Sequence, residues 1–228
     1  MKAMTLAAIA ALLATSTAHA AENTQKLEPR EMLTFAMMML QSNRFDVAEK
    51  VARDGIADHP TQPGFHLVLA EALRGEKKTV DAFYEYQLEI VQEGPAAPTA
   101  DAAARRGAEL LQGTSVEAHE MVRVLQAVKQ MESNPQAAEK ELAAIEARSG
   151  KRIALEIYRA EALQEAGSLT EAASTWEEIL AQQPSFVPAL VELAQVREGQ
   201  HDHQAAELLL AKAKKLDARN WRLQEASR

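Results

Sequence analysis

Two imidazoles and a carboxylate stand together at His201-Asp202-His203, the stretch whose residue types most directly suggest chemistry. Imidazole and carboxylate oxygen suit zinc or copper, and three such groups in a row could hold a transition metal weakly. A metal-binding or enzymatic protein built on His201 and His203 is therefore one reading to test. The rest of the chain offers little support for it. There is no HExxH, no GxSxG, no glycine-rich phosphate loop and no cysteine nucleophile, so none of the common hydrolytic or phosphoryl-transfer constellations is encoded. His59, His66 and His119 are isolated in sequence. No catalysis, no cofactor and no metal are expected.

Composition narrows the class further. The chain has no cysteine, which excludes disulfides, thiolate metal sites and a lipid-modified cysteine, and leaves stability to packing alone. Its N-terminus reads Met1-Lys2, an apolar run from Ala3 to Ala14, then Ala18-His19-Ala20 before Ala21-Glu22. This is the n-region, h-region and A-x-A order of a secretory leader, so residues 1–20 are expected to be removed after Ala20. A membrane-spanning helix needs about 20 apolar residues, and this run is shorter. Residues 21–28 are expected to be a flexible start to a mature chain placed in the periplasm or secreted. Without Lys2, 24 basic residues face 33 acidic ones, a net charge of −9. That balance argues against a nucleic-acid partner, which needs clustered Lys and Arg, and Lys212 to Lys215 and Arg105-Arg106 are too short to supply one. With 4% aromatic residues and no sustained period-two alternation, the chain is expected to be all-helical.

The elements that would position any site follow from a repeat. Ala48 and Ala82 lie 34 residues apart, as do Ala172 and Ala206, each pair in the same local pattern. A unit starting at Pro29 has Ala36 at position 8, Ala48 at 20 and Pro60 at 32; one starting at Pro63 has Ala70, Leu73, Ala82 and Tyr86 at 8, 11, 20 and 24. A unit from Ile153 has Ala160, Leu163, Gly167, Ala172, Trp176, Ile179 and Pro184 at 8, 11, 15, 20, 24, 27 and 32, and one from Val187 has Ala194, Ala206, Leu210 and Ala213. Small residues are needed where two helices cross closely, and a proline ends the second helix. This pattern resembles the tetratricopeptide repeat family, including the turn-like Gly167-Ser168-Leu169-Thr170-Glu171-Ala172. A degenerate unit from His119 carries Leu125, Ala138, Leu142 and Ile145 but Gln126 at position 8. The resemblance implies a right-handed superhelical solenoid of about five helical hairpins, two over residues 29–96 and three over residues 119–220, with residues 221–228 as a C-terminal cap.

Residues 97–118 break the register. Gly94-Pro95-Ala96-Ala97-Pro98 cannot be helical throughout, and one inserted helix is expected over Asp101 to Leu111, capped by Asp101 and stopped by Gly113. Thr114-Ser115-Val116-Glu117 then reads as a capping box for the next helix. The insertion joins two rigid arms, or one helix packs across the groove; the residues fit both.

In the family the first helix of each hairpin lines a concave groove, and positions 2, 5, 9, 12 and 13 point into it. Position 5 is Leu33, Leu67, Arg123, Ile157 and Val191, so four of five are aliphatic. Together with Met37 and Leu40 in the first unit, this row forms a groove floor for an apolar or amphipathic peptide, or else a packing seam against the neighbouring hairpin. Around it, Arg30, Arg74 and Arg123 precede Glu161, Glu165, Glu192 and Glu198, a polarity that would orient an extended ligand. The carboxylate clamp of chaperone-binding family members is missing, since Leu33 and Met37 occupy its places. His203 falls at position 17, where Phe45 and Leu169 stand in other units, and is expected to plug the hairpin core. The resemblance thus implies a protein–protein interaction scaffold or assembly factor of the bacterial envelope, with a peptide or protein partner and no nucleic acid. A self-associating subunit, dimerising through Trp221 and Leu223 at the C-terminal end, is the structural alternative.

Overall fold

The computed structural model describes residues 27–112 and 116–226. The proposed leader and its cleavage point, the mature start as far as residue 26, the Gly113 stop and the Thr114-Ser115 cap lie outside the described residues. Among the described residues there are helices and no strands, in the order α1 (Pro29–Gln41), α2 (Phe45–Asp58), α3 (Phe65–Gly75), α4 (Thr79–Glu93), α5 (Pro98–Leu110), α6 (Val116–Gln130), α7 (Pro135–Ser149), α8 (Ile153–Glu165), α9 (Leu169–Gln182), α10 (Val187–Gly199), α11 (His203–Leu216) and α12 (Trp221–Ala226). No described helix is long and apolar enough to cross a membrane.

Consecutive helices pair as antiparallel hairpins, α1/α2, α3/α4, α6/α7, α8/α9 and α10/α11, with α5 between the second and third pairs. The alanines at positions 8 and 20 explain why. Ala36, Ala48, Ala70, Ala82, Ala138, Ala160, Ala172, Ala194 and Ala206 all have at most 1% of their surface exposed, as close helix crossings require. The turns share one geometry. Asn43, Lys77, Gly167 and His201 all stand at position 15 and all have left-handed φ, from 56° to 77°. The following N–H groups of Arg44, Lys78, Ser168 and Asp202 donate back to the carbonyls of Met39, Leu73, Leu163 and Arg197 at 2.8–2.9 Å. This is the six-to-one closure that satisfies the last carbonyls of a helix.

Hairpins also lock to their successors through large residues seated on glycine. A Cβ on Gly75 would come within 2.4 Å of the Phe45 ring, and one on Gly199 within 3.0 Å of Leu169. Position 17 of one unit thereby plugs onto position 13 of the next. His203 corrects that expectation for the last unit. Among the described residues no hairpin packs on α11, so the His203 ring is 67% exposed and Nδ1 pairs with Glu198 at 2.6 Å.

The inserted helix differs from expectation as well. It starts at Pro98 with Ala97 as its cap residue and no side-chain cap. Asp101 lies in the first turn and pairs with Arg105 at 3.0 Å, because proline preorganises the first helical position and shifts the start toward the N-terminus. α5 packs on α3 and α4 through Ala100, Ala103 and Gly107.

The largest departure from a uniform stack is α4. It packs against α3 and α5 on one side and against α6, α8 and α10 on the other, so the two arms close on a shared helix. Its residues Ala82, Phe83, Tyr84, Tyr86, Gln87, Leu88, Glu89, Val91 and Gln92 are buried, and its polar groups find distant partners. Glu89 accepts from the N–H groups of Gly64 at 2.9 Å and Leu67 at 3.2 Å, supplying the N-terminal cap that α3 lacks locally. The Tyr158 hydroxyl on α8 donates to Gln87 at 2.8 Å, and Arg152 pairs with Asp81 at 3.1 Å while its guanidinium lies over Tyr84. At its C-terminus, Gly94 takes φ +81°, and a Cβ there would meet the Trp221 ring at 2.6 Å.

The buried His66 and the half-buried Glu93 make this junction pH-sensitive. Burial, with the charges of Glu89 and Asp217 nearby, pushes Glu93 up from 4.5 to about 7. For His66, burial works to lower the value, but the Glu85 carboxylate 2.7 Å from Nδ1, together with Glu89 and Glu93, raises it above 6.5. Both groups bind their protons more tightly folded than unfolded. The stability they contribute is present at low pH and is lost as pH rises through those raised values.

Two outcomes follow from this packing. Gly55→Ala improves helix propensity by about 1 kcal/mol but places a Cβ 2.2 Å from the buried Phe65 ring; urea denaturation should show a net loss of about 1–3 kcal/mol. Thermal melts should show the protein losing stability from pH 6 to pH 8, and Glu93→Gln should reduce that loss while raising the melting temperature at pH 8.

Candidate partner-binding groove

The first helices of the C-terminal arm, α6, α8 and α10, form a concave face. A cavity of about 830 Å³ opens on it, lined by Val128 and Met131 at its apolar end and by Glu132, Glu161, Glu165, Glu192 and Glu225, with Gln164 and Gln195 between. Arg222 is the single cation in this lining. Its guanidinium pairs with Glu161 at 2.6 Å and with Glu192 at closer range, and it stacks on the Trp221 ring with its centre 4.7 Å away. Glu192 is 6% exposed and also accepts from Gln164 at 3.2 Å. Burial raises Glu161 above the ordinary carboxylate value; Arg222 pulls it back and Glu192 pushes it further up. Such an arrangement favours a planar, multiply donating cation over any anion.

The expected groove residues divide sharply. Glu161 faces this cavity. Ile157 and Val191 have no exposed surface, so in this structure both are covered core residues. The reason is the closure of the arms: Ile157 shares a cluster with Leu88 and Val91 of α4, and Val191 is packed with Val187, Leu190 and Ala213, against which Leu223 of α12 rests. Arg123 is exposed and paired with Glu141 on the neighbouring helix. In the N-terminal arm, Met37 is 53% exposed, whereas Leu33, Leu40 and Leu67 are half-buried against the core around Phe65. Arg74 pairs with Glu109 at 3.0 Å and Arg106 with Glu71 at 2.9 Å, so of the expected positive groove residues Arg74 is neutralised within its own arm, while Arg30 is exposed. The negative end survives as the cavity, except that Glu198 turns away to His203.

Arg222, Glu132 and Glu225 were not legible as groove residues. The signal available was Trp221-Arg222 itself, an aromatic beside an arginine in a chain with only two tryptophans. Trp221 also does not point outward for self-association. Its Nε1 donates to the Val91 carbonyl at 3.0 Å, and the Asn220 side chain donates to Gln92 at 3.2 Å.

His201 and His203 sit at the turn into α11. Their ring centres are 6.3 Å apart, His201 serves the turn, and Asp202 caps α11 by accepting from the Ala205 N–H at 3.2 Å. Among the described residues no group of three or more His, Asp or Glu side chains is placed to hold a metal ion.

A second cavity, about 620 Å³, lies between the arms over Leu69, Leu73 and Leu88, with Arg152 and Glu85 on its rim. Their charges are already matched, Arg152 to Asp81 and Glu85 to His66.

Substitution separates core from surface here. Ile157→Glu should cost more than about 4 kcal/mol, since it buries an unpaired carboxylate, whereas Met37→Glu should stay within about 0.5 kcal/mol of the parent in chemical denaturation.

Comparison with known structures gives three similar chains. The crystal structure of YrrB, a TPR protein with an unusual peptide-binding site, aligns with 89% of this chain and 93% of its own length at 13% identity and a TM-score of 0.42. TTC0263, a thermophilic TPR protein of Thermus thermophilus, covers 87% and 96% at 15% identity and 0.36. A tetratricopeptide repeat protein of Parabacteroides merdae ATCC 43184 covers 90% and 84% at 13% identity and 0.40. No protein-family model and no curated protein matches the sequence. The recurring buried alanines, the four equivalent hairpin turns and the all-helical pairing give this chain a tetratricopeptide-like helical-hairpin fold.

Proposed function

We propose that the protein is a non-catalytic interaction scaffold or assembly factor of the bacterial cell envelope, which receives a peptide or partner protein on the concave face of α6, α8 and α10. One observation carries this reading: Glu161 and Glu192 hold a guanidinium inside an acidic cavity large enough for several side chains. The site favours a basic segment, because among the described residues no cation pairs with Glu132, Glu165 or Glu225 of the cavity. Export is supported by Lys2, the apolar run to Ala14 and Ala18-His19-Ala20, and the absence of cysteine suits an oxidising compartment as well as any other. Fold alone is a weak guide to a partner; the chemistry of the groove is what narrows it.

A photo-crosslinking residue placed at Gln195, exposed in the groove, should yield a specific adduct in cells. The same residue at Glu207, exposed on α11, should not. Equal adducts from both positions, or none from Gln195, would sink the groove reading. Fractionation and the intact mass of the mature chain test the envelope assignment, which requires loss of residues 1–20.

A further inference from the structure

Resting on the groove reading, we infer that the segment Asn220–Ala226 is an internal occupant of the groove, a strap that an arginine-containing basic peptide of the partner displaces. The strap is held through its first three residues, on two sides. Trp221 and Asn220 fasten it to the C-terminus of α4 through the carbonyls of Val91 and Gln92, and Arg222 enters the cavity between Glu161 and Glu192. It therefore bridges the two arms and fills the place a ligand cation would take.

Three features make this occupant replaceable. α12 has six residues and none of them is buried, so the helix has little stability of its own. The Arg222 Nε is shielded from solvent yet has no hydrogen-bond partner, which leaves the guanidinium less than fully satisfied. The strap also carries Glu225 into a cavity already lined by Glu132, Glu161, Glu165 and Glu192, a like-charge placement that opposes its own docking. A partner segment with arginine in the Arg222 position and a basic residue in place of Glu225 relieves both defects. Gly94 sets the anchor, since its missing side chain is the seat of the Trp221 ring.

The test uses a fluorescent peptide with the sequence of residues 217–226 carrying Glu225→Lys, titrated by anisotropy into the full chain and into its Arg222→Ala variant. The variant should bind at least tenfold more tightly than the parent, adding Glu192→Lys should abolish binding, and the peptide with Arg222→Ala should not bind. Affinities within twofold for parent and Arg222→Ala would overturn the strap. If Arg222→Ala does not fold, Trp221→Ala takes its place, because it loosens the anchor without leaving a carboxylate unpaired. Amide exchange gives an independent reading in the parent: saturating peptide should accelerate exchange at residues 222–226, and unchanged exchange would overturn the proposal. A Gln195 adduct that persists at the same level in the Arg222→Ala chain would refute the strap while leaving the groove reading intact; loss of the adduct in every chain would remove the groove itself.

Discussion

The burial of α4 on every side is the constraint from which the rest of the structure follows. A second helix of a repeat ordinarily meets its own hairpin partner and the next unit. α4 instead serves both arms, so its surface has to satisfy α3 and α5 in one direction and α6, α8 and α10 in the other. The chain concentrates Phe83, Tyr84 and Tyr86 on this helix, where large rings fill the space between arms. It also places Glu85, Gln87, Glu89 and Gln92 among them, each with a partner on another element. Buried polar groups tolerate no second arrangement without losing those bonds, so they define how the arms meet as well as holding them together.

That junction converts a row of groove positions into core. Once α4 lies across α8, Ile157 is sealed, and the strap that returns to α4 seals Val191. What remains open is the acidic part of the concave face. The open part of the concave face is thus lined by carboxylates rather than by the apolar floor the repeat positions suggested.

The N-terminal arm shows how local pairing cancels a field that sequence alone suggests. Arg74 and Arg106 alternate with Glu71 and Glu109 on facing helices, so their charges are spent on one another. In the C-terminal arm Arg123, Arg159 and Arg197 are likewise paired with glutamates of that arm, but Glu161 and Glu192 of the cavity are answered by Arg222, 30 or more positions along the chain. His203 makes the same point on a smaller scale: the position that plugs a hairpin in earlier units is exposed in the last, for want of a following hairpin to receive it.

What the amino-acid order determined by itself was everything that recurs at short range. Alanines at 34-residue spacing specify where helices cross, Gly167 marks a turn at position 15, and prolines mark the ends, because each depends on neighbours within one or two hairpins; that Asn43, Lys77 and His201 adopt the same left-handed turn was visible only in the structure. Only the tertiary structure decided how the arms meet, which groove residues stay accessible and what occupies the acidic cavity. Those contacts join residues 71 to 130 positions apart, such as Tyr158 with Gln87 and Trp221 with Val91. They occur once each, so they leave no period to read, and their partners become neighbours only after the inserted helix α5 has redirected the chain.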